Sequence, residues 1–588
     1  PATPLPAFAF SEAEFADPTS RRALLARGLE FLRQQFALGQ SPEVLLEART
    51  RFYDEVLAHI FKSQGLAATG TLTLAATGGY GRGELFPGSD IDILIICRDD
   101  PLPKAQAALI ERFISSLWDL KLDLGSAVRT LRECVSDAAS DVTIYTTLLE
   151  HRLIAGSETL YNDFAKALDA DTLWSESRFL NAKLEEARTR RQKATPGSLQ
   201  PDIKQDPGGL RELHLLGWLA RRLLKLKSFD ELIRTDLLTA GEFLELGECR
   251  RFLFELRYAL HLKGYGDRLR LDFLMEIAHD LGYRGAGNAP VEELMRLLFG
   301  VLKRVRALTD IATEALSAQV TDGLGGIPAE VLNRWFVRRG GLLDVIDATL
   351  FENQPARLIE LFTLFATHEG LDALHGNCLR GLRQALLRLK VHLIEIPECR
   401  VRFRELLTLP HFATRALPLM LRYRVLSAYL PQWQRIEGLM QFDLFHLYTV
   451  DVHTAGVVRN LQALAKSTAP EHALFAELYP TLEDPLILVT AALLHDIGKG
   501  GDGHHAESGA QTASSFCQWH GYTQYQTETV SWLVRSHLLF SHTAQRRDIT
   551  APEVISGFAA KMVSEPRLNY LYCLTVADIA DTNEHEWN

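Results

Sequence analysis

Hydrophobic and polar residues alternate between Asp90 and Ile95, which predicts a β-strand with one buried face. Asp90 and Asp92 share one face of this strand, and Ile91 and Ile93 share the other. Two carboxylates held side by side repel each other, so the pattern favours a site where a divalent cation lies between them. The simpler alternative is an edge strand that carries two solvated aspartates.

A glycine-rich turn precedes this strand and follows a short predicted strand at Leu72–Ala76. The turn reads Gly78-Gly79-Tyr80-Gly81-Arg82-Gly83-Glu84-Leu85, and Ser89 comes just before the first aspartate. Glycines lack a Cβ, so their backbone N–H groups can approach a phosphate closely. A glycine turn followed by an Asp-x-Asp strand is typical of metal-dependent nucleotidyl transfer. The alternative is a glycine-rich hairpin without a ligand.

A second alternation, Leu120 to Leu124, predicts another strand, and residues 101–118 before it have a helical pattern. Asp123 lies on the face of this strand opposite the leucines and is the candidate third carboxylate of the site. Asp119 and Asp141 are its rivals, and a solvated strand face is the structural alternative. Three carboxylates suit two metal ions, one on the attacking oxygen and one on the triphosphate.

From residue 141 to about 320 the pattern is helical, with one break at Pro207-Gly208-Gly209. Leu210 restarts the helix, which places Arg211 in a first turn with outward-pointing backbone N–H groups. A nearby basic group has two interpretations, as neutralisation of a triphosphate or as an ordinary solvated face. It consists of Arg188, Arg190, Arg191, Lys193 and Lys204.

The pattern also predicts the domain organisation. Residues 1–75 are mostly helical, with Ser20 as a predicted N-cap, and Thr321–Pro328 is the clearest linker. Helices are predicted from Ala329 to about Gln441, with a break at 338–341. We expect N-terminal helices at 1–65, an α/β nucleotidyltransferase domain at 66–165, a helical domain at 166–325, a helical linker domain at 326–440 and an all-α domain at 441–588.

Composition narrows the classes of protein. The net charge of −11 disfavours nucleic acid as a partner. Seven scattered cysteines without a CxxC pair argue against a disulfide framework or a zinc ribbon and favour the cytoplasm. No apolar run reaches the roughly 18 residues of a membrane span. The chain starts at Pro1 without a basic region, so we expect no signal peptide.

A second set of metal-ligand residues lies near the end of the chain. His453 is followed by the adjacent pair His495-Asp496, then by Gly498-Lys499 and Asp578. Imidazole and carboxylate ligands together suit Mn, Fe, Zn or Mg, whose bound water becomes a nucleophile. This order of ligands is typical of HD-type metal phosphohydrolases. His505 and His537 are candidates for a second metal or a phosphate, or are surface histidines; we expect His446 to be core or outer-shell.

Both centres together resemble the bifunctional uridylyltransferase/uridylyl-removing family that modifies the PII nitrogen-signal protein. The resemblance extends from about residue 20 to the end. The remaining motifs that carry it are Pro207–Arg211, Tyr448–Thr454, Leu494–Lys499 and Ala544–Asp548. It implies a multi-domain, mainly α protein with a polymerase-β-like nucleotidyltransferase domain, a helical bundle and an HD domain.

The resemblance also implies an activity. The first centre would transfer UMP from UTP to a tyrosine of PII, a trimeric protein, with Mg or Mn on Asp90, Asp92 and a third carboxylate. Gly78, Gly79 and Ser89, with Arg82 and Arg211, would bind the nucleotide. The HD centre would hydrolyse the UMP–tyrosine bond, with His453, His495, Asp496 and Asp578 on the metal and Lys499 near the phosphate.

Two departures from the family pattern stand out. The family continues with paired ACT domains that sense glutamine, and this sequence stops at Asn588. It also has Gly125-Ser126-Ala127 where the family tends to have Gly-His-Ser. Two rival functions remain open: a scaffold that only binds PII, and an enzyme that uses another nucleotide or target, for instance in adenylylation.

Overall fold

The structure is a computed structural model of the whole chain. It describes residues 5–582 except positions 6, 7, 9, 16, 170–172, 196, 323–327, 442–447 and 502–504. His446, His504 and most of the expected linker at 321–328 therefore lie outside the described residues. In the described part of the chain, no helix is long and apolar enough to cross a membrane.

The first third of the chain is an α/β unit preceded by two helices. Asp17, rather than the expected Ser20, caps the first helix, because its carboxylate accepts from the amides of Thr19 and Ser20. The elements, after a 3-10 turn at Glu12–Phe15, are α1 (Pro18–Ala37), α2 (Pro42–Ser63), β1 (Leu72–Ala76), α3 (Gly78–Gly81), β2 (Ile91–Cys97), α4 (Lys104–Trp118), β3 (Leu124–Thr130), α5 (Leu131–Ser140), α6 (Val142–Leu149), β4 (Arg152–Gly156) and α7 (Glu158–Leu168).

These strands form a sheet in the order β3-β2-β1-β4. β2 runs parallel to β3 and antiparallel to β1, and β1 is antiparallel to β4. The strands at 72–76 and 91–97 were expected. The predicted strand at 120–124 is wrong, because the backbone forms a turn there and β3 begins only at Leu124. The strand β4 was missed inside a region expected to be helical.

A helical domain follows and packs around one long helix. Its elements are α8 (Glu176–Gln192), α9 (Leu210–Leu224), a 3-10 helix (Phe229–Arg234), α10 (Ala240–Leu262), α11 (Leu274–Asp280) and α12 (Ala289–Asp322). The predicted restart at Leu210 is confirmed, with Gly209 at the N-cap. The loop before it is fixed to α12, since a Cβ on Gly208 would lie 1.9 Å from the carbonyl oxygen of Leu302.

The next segment is not all helical, which corrects the expectation for 329–441. A second sheet of short strands has the order β5-β6-β7-β8, and the break at 338–341 is the turn of a hairpin. The elements are β5 (Ala329–Val331), β6 (Phe336–Arg339), β7 (Leu342–Val345), α13 (Leu350–Asn353), α14 (Arg357–Thr367), β8 (Ala373–Leu374), α15 (Gly376–Arg388), α16 (Pro397–Leu407), a π-helix (Phe412–Ala416), α17 (Leu417–Arg422), α18 (Val425–Tyr429) and α19 (Trp433–Ile436).

The described end of the chain is all-α, as expected. It contains α20 (Val450–Ala465), α21 (Ala473–Leu478), α22 (Pro485–Leu494), α23 (His505–Trp519), α24 (Gln524–Ser536), α25 (Leu539–Arg546), α26 (Pro552–Met562) and α27 (Glu565–Thr582). Helix α22 is apolar except for Thr490 and packs against α20, α24 and α27, with Leu486–Leu494 buried. All seven cysteines are buried and free.

Two candidate metal centres

The first centre lies where β2 and β3 begin. Asp92 pairs with Gly125 across the parallel strands, and the residues before each strand place Asp123 beside Asp90. A hydrogen bond of 2.8 Å from the Ile91 amide to the Asp123 carbonyl joins the two segments just before the strands begin. Because side chains alternate along a strand, Asp90, Asp92 and Asp123 project from the same face.

Two glycines leave room for the Asp92 carboxylate. A Cβ on Gly125 would lie 2.2 Å from Asp92 Oδ1, and a Cβ on Gly78 would lie 3.3 Å from Asp92 Oδ2. Gly78 also has a φ of +56°, which few other residues adopt. The glycine turn therefore shapes the space around a carboxylate as well as exposing backbone N–H groups.

The pKa values of Asp90 and Asp92 are both raised. Burial and then the adjacent Asp123 raise the pKa of Asp90, while burial and then Asp90 raise that of Asp92. In the described residues Lys204 is the cation that opposes the shift at both aspartates, together with Arg82 at Asp92. A divalent cation would relieve this repulsion, so the donor set fits Mg²⁺ or Mn²⁺.

Arg82 belongs to a buried ion network under the glycine turn. It forms salt bridges to Glu84 and Glu150, and the ring of His214 lies 3.0 Å from Glu84. Trp218 donates its indole N–H to Glu150 as well. His214 and Trp218 thereby join the turn to the helical domain, and contact of Arg82 with a nucleotide stays a prediction.

Other basic residues divide into paired and available ones. Arg190 and Arg191 both bind the buried Glu212, whose pKa their charges lower to about 2 against the effect of burial. They therefore join helices instead of facing a ligand. Arg188 and Lys193 are exposed on the surface.

Lys204 lies near the carboxylates, and Arg211 lies near Lys204. Burial, followed by neighbouring arginines, lowers the pKa of both. Lys204 is 3.6 Å from Asp267, and Arg211 lies over the Trp218 ring at 5.5 Å from its centroid. The Arg211 amide donates to the Lys204 carbonyl, so one loop carries both cations. Two basic side chains on one loop beside the carboxylate centre fit a triphosphate.

Gly79 and Ser89 occupy the two ends of the turn. Gly79 is the second residue of α3, and an added Cβ there would lie 3.7 Å from the Arg82 guanidinium. Ser89 is half-buried, and its amide donates to the Phe86 carbonyl over 2.9 Å. Their contact with a nucleotide stays a prediction.

The second centre joins four helices in the last domain. His453 comes from the first turn of α20, His495 and Asp496 follow the end of α22, His537 follows the end of α24, and Asp578 lies on α27. Ligand atoms of His453, His495 and Asp496 lie within 4.8 Å of one another, and this is the one such group of three in the described residues. Asp578 Oδ1 is 3.0 Å from His453 Nε2 and 3.9 Å from His495 Nε2.

Hydrogen bonds to the outer ring nitrogens orient the histidines. His495 Nδ1 lies 2.8 Å from the carbonyl oxygen of Ala492, and His537 Nδ1 lies 2.8 Å from that of Val534. A carbonyl only accepts, so both Nδ1 atoms carry the proton and both Nε2 atoms present a lone pair. His453 Nδ1 is likewise held, 3.0 Å from Asp581 Oδ2.

Two buried atoms support a cation in this cluster. His495 Nε2 and Asp496 Oδ1 are both buried without a hydrogen-bond partner, although leaving such atoms unpaired costs about 1–3 kcal/mol. Asp496 Oδ2 is bound at 2.7 Å by Lys499, which also donates to Gln441. The two orphaned atoms and the N/O donor set fit Mn, Fe, Zn or Mg.

The electrostatics of the second centre favour positive charge. Burial disfavours a charged His453, but hydrogen bonds to Asp578 and Asp581 outweigh it and raise its pKa to about 10. Burial alone would raise the pKa of Asp578, yet the hydrogen bond from His453 and the charge of His495 hold it below its usual range. The carboxylates that attract this proton would equally attract a metal cation.

His537 and His505 are placed differently. His537 is buried, with its Nε2 3.7 Å from Asp496 Oδ1, so it is within reach of a second metal or a phosphate. His505 opens α23 with an exposed side chain, and no contact to the cluster is found within the described residues. Both assignments stay predictions.

Asp581 and Asp451 are residues that the sequence analysis missed. Asp581 follows Asp578 by nearly one helical turn, and a carboxylate at that spacing was the available signal. Its approach requires Gly456, where a Cβ would lie 1.8 Å from Asp581 Oδ1. Asp451 is bound by Lys303 of α12 at 3.0 Å, which ties the long helix to the first turn of α20.

Comparisons with known proteins agree with this arrangement. Family models match residues 57–149 (nucleotidyltransferase domain), 178–313 (GlnD PII-uridylyltransferase), 336–429 (uridylyltransferase GlnD third domain) and 450–583 (HD domain). The fold and these matches define a nucleotidyltransferase joined in one chain to an HD-type metal centre.

Related proteins with names narrow this class further. Proteins called bifunctional uridylyltransferase/uridylyl-removing enzyme are 42% identical over 92% of this chain in Vibrio vulnificus and 40% identical over 96% in Photobacterium profundum. A Haemophilus influenzae relative of the same name is 40% identical over 92%. The chain spans 63% to 65% of the length of these relatives. These similarities relate the chain to the bifunctional uridylyltransferase/uridylyl-removing enzymes over 92% to 96% of its own length.

Proposed function

We propose that this chain uridylylates a PII signal protein and also removes the modification. At the first centre a tyrosine hydroxyl would attack the α-phosphorus of UTP, so that the new O–P bond replaces the bond to diphosphate. At the second centre water would cleave that tyrosine–UMP bond. The observation that carries the proposal is the combination, in one chain, of neighbouring carboxylates at the first centre and a buried His/Asp cluster at the second, with relatives that bear this bifunctional name.

Each group of residues in the first centre has a separate role in the proposed transfer. Asp90, Asp92 and Asp123 would hold Mg²⁺ or Mn²⁺, which supplies charge stabilisation for the attacking and leaving oxygens. Gly78 and Gly79 present backbone N–H groups to the triphosphate. Lys204 places positive charge beside the carboxylates, and Arg211 adds a second charge next to Lys204, where the diphosphate would develop negative charge.

The residues of the second centre prepare hydrolysis. His453, His495, Asp496 and Asp578 would hold the cation, which supplies an acidified water as nucleophile. Asp581 keeps the proton of His453 on Nδ1, so that Nε2 faces the cluster. Lys499 brings a positive charge to Asp496, and His537 Nε2 points at the same carboxylate.

The direct test uses the intact chain and a purified PII protein. We expect label from α-phosphate-labelled UTP, but not ATP, to appear on a tyrosine of PII with release of diphosphate. Pre-modified PII should release UMP when a divalent metal is present and should keep it after chelation. Labelling from ATP would assign another nucleotide, and tight binding of PII with neither activity would mean a scaffold.

A further inference from the structure

A cavity of about 380 Å³ lies away from both centres, where α10, α12, α15 and α18 meet. Its volume falls within the range of small-ligand pockets, about 300–1,000 Å³. Six basic side chains and two carboxylates line it, in a chain whose net charge is −11. We call it the basic cavity. The basic residues are Lys303, Arg304, Arg383, Lys390, Arg422 and Arg424.

Three of these cations are already neutralised by carboxylates. Arg383 forms a salt bridge to Glu245. Lys303 and Arg424 both bind Glu437, at 2.8 Å and 3.2 Å. Lys303 also binds Asp451, so three carboxylates match these three cations.

Arg304, Lys390 and Arg422 have no carboxylate partner in the described part of the chain. Arg304 is half-buried on α12, while Lys390 and Arg422 approach from two other segments. The second lining carboxylate, Glu395, accepts instead from the His392 amide at the start of a 3-10 helix. Three cations from three segments therefore line one space without a carboxylate partner of their own among the described residues. The half-buried Arg304 lies inside, and the exposed Lys390 and Arg422 lie towards solvent.

An apolar wall completes the basic cavity. Leu379 and Leu382 of α15 are buried in its floor, and Leu387 and Val391 stand exposed at 75% and 46% near its rim. Guanidinium groups match phosphate oxygens in a fork geometry, and leucines accept the apolar body of a ligand. We propose that the basic cavity binds a phosphate-bearing small molecule.

Its position would let such a ligand act on both centres. Lys303 on the cavity wall also binds Asp451, two residues before His453. The preceding residue, Leu302, packs its carbonyl against Gly208 in the loop that carries Lys204 and Arg211. The basic cavity thus adjoins the one turn of α12 that contacts the elements of both centres.

Calorimetric titration of the intact, metal-loaded chain with inorganic pyrophosphate tests this site. Pyrophosphate also fits the transferase centre, so the proposal concerns one additional binding equivalent. We expect Arg304→Gln/Arg422→Gln to lose that equivalent or weaken it at least about tenfold, because two charge-assisted contacts disappear. Arg388→Gln is the matched control, since Arg388 is exposed, binds Glu352 and lies outside the cavity.

A charge-retaining variant and a second ligand test whether charge and phosphate chemistry explain the binding. Arg304→Lys/Arg422→Lys retains the charges and should retain the additional equivalent with reduced affinity. Succinate should bind much more weakly than pyrophosphate at this site. Equal stoichiometry together with unchanged affinity in wild type and in Arg304→Gln/Arg422→Gln would overturn the proposal, and equal affinity for succinate would overturn its phosphate chemistry.

Discussion

The two metal centres are built in opposite ways. The carboxylates of the transferase centre lie at the open ends of two strands, and its basic side chains lie on a loop of another domain. The HD centre is buried between four helices, and neighbouring groups fix the proton of each histidine. An open centre suits a reaction that admits both a nucleotide and a protein, whereas the buried one is complete within its own domain.

The largest expected effect tests whether the HD centre is independent. His495→Ala/Asp496→Ala should lower release of UMP from modified PII at least about a thousandfold, worth about 4 kcal/mol of transition-state stabilisation. It should also remove one equivalent of metal, measured by elemental analysis, and leave transfer largely intact. His542→Ala is a control, because this histidine is exposed. Full hydrolysis by the double variant would make the pair structural.

The reciprocal change tests the transferase centre. Asp90→Asn/Asp92→Asn keeps the shape of the site but removes its negative charge, so transfer from UTP should become undetectable while hydrolysis stays measurable. Asp123→Asn should lower transfer at least about a hundredfold if it is the third carboxylate. Asp119→Asn and Asp141→Asn are matched rivals, and an asparagine in place of Asp141 can still cap α6. Undiminished transfer in the first variant would refute the assignment.

A smaller effect is expected from a residue that orients a ligand of the HD centre but does not itself bind the metal. Asp581→Asn should lower hydrolysis by about 10- to 100-fold, because it weakens the acceptor that orients His453. We expect kcat and metal affinity to fall with little change in KM. Glu477→Gln, an exposed charge loss in the same domain, is the control. A uniform loss of folded protein without a change in metal affinity would mean that Asp581 is only structural.

The free energy of unfolding should fall at acid pH because of a contact between the HD domain and the preceding domain. Burial lowers the pKa of His520 to about 4, and the ring lies between the Phe516 carbonyl and the Tyr429 hydroxyl. The unfolded chain binds this proton near 6.5, so the stabilisation is complete above pH 6.5 and is lost as the pH falls towards 4. Between pH 7 and pH 5 the loss is about 2 kcal/mol.

Urea unfolding of His520→Gln at those two pH values measures this contribution. The variant should be less stable at pH 7 but should lose less stability on acidification than the wild type. His279→Gln, at an exposed position of the helical domain, should show the wild-type acid response. An equal acid loss in His520→Gln would contradict a buried neutral ring.

The sequence predicted the parts of both centres that have local patterns. Alternation identified the strand of Asp92, and the expected first strand agrees with β1. The strands at 329–374 have two to four residues each and no alternation long enough to exceed the helical signal. Asp581 and Lys303 depend on contacts between distant segments, which one sequence does not reveal. The turn at 120–123 has an alternating pattern, but its backbone is not extended.

The smallest expected effect concerns a contact between the two centres. The Thr449 amide donates to the Gly197 carbonyl over 3.1 Å, and Ser198 forms a β-bridge with Tyr448. This segment leads into the loop of Lys204 and Arg211. A Cβ on Gly197 would lie 2.6 Å from Val452, next to His453. A displacement of this segment should therefore change the geometry of both centres.

Gly197→Ala should lower transfer and hydrolysis together, each by less than about tenfold, because such coupling is worth about 0.5–2 kcal/mol. Gly70→Ala separates this contact from backbone strain, since both glycines have a φ of +68° and nothing lies within 4 Å of a Cβ at Gly70. Initial rates of UMP transfer and UMP release in both variants make the comparison. Loss of hydrolysis alone would assign this segment to the HD centre and restore the view of two independent sites. Loss of both activities in Gly197→Ala alone would mean that the open centre and the buried centre share one structural support.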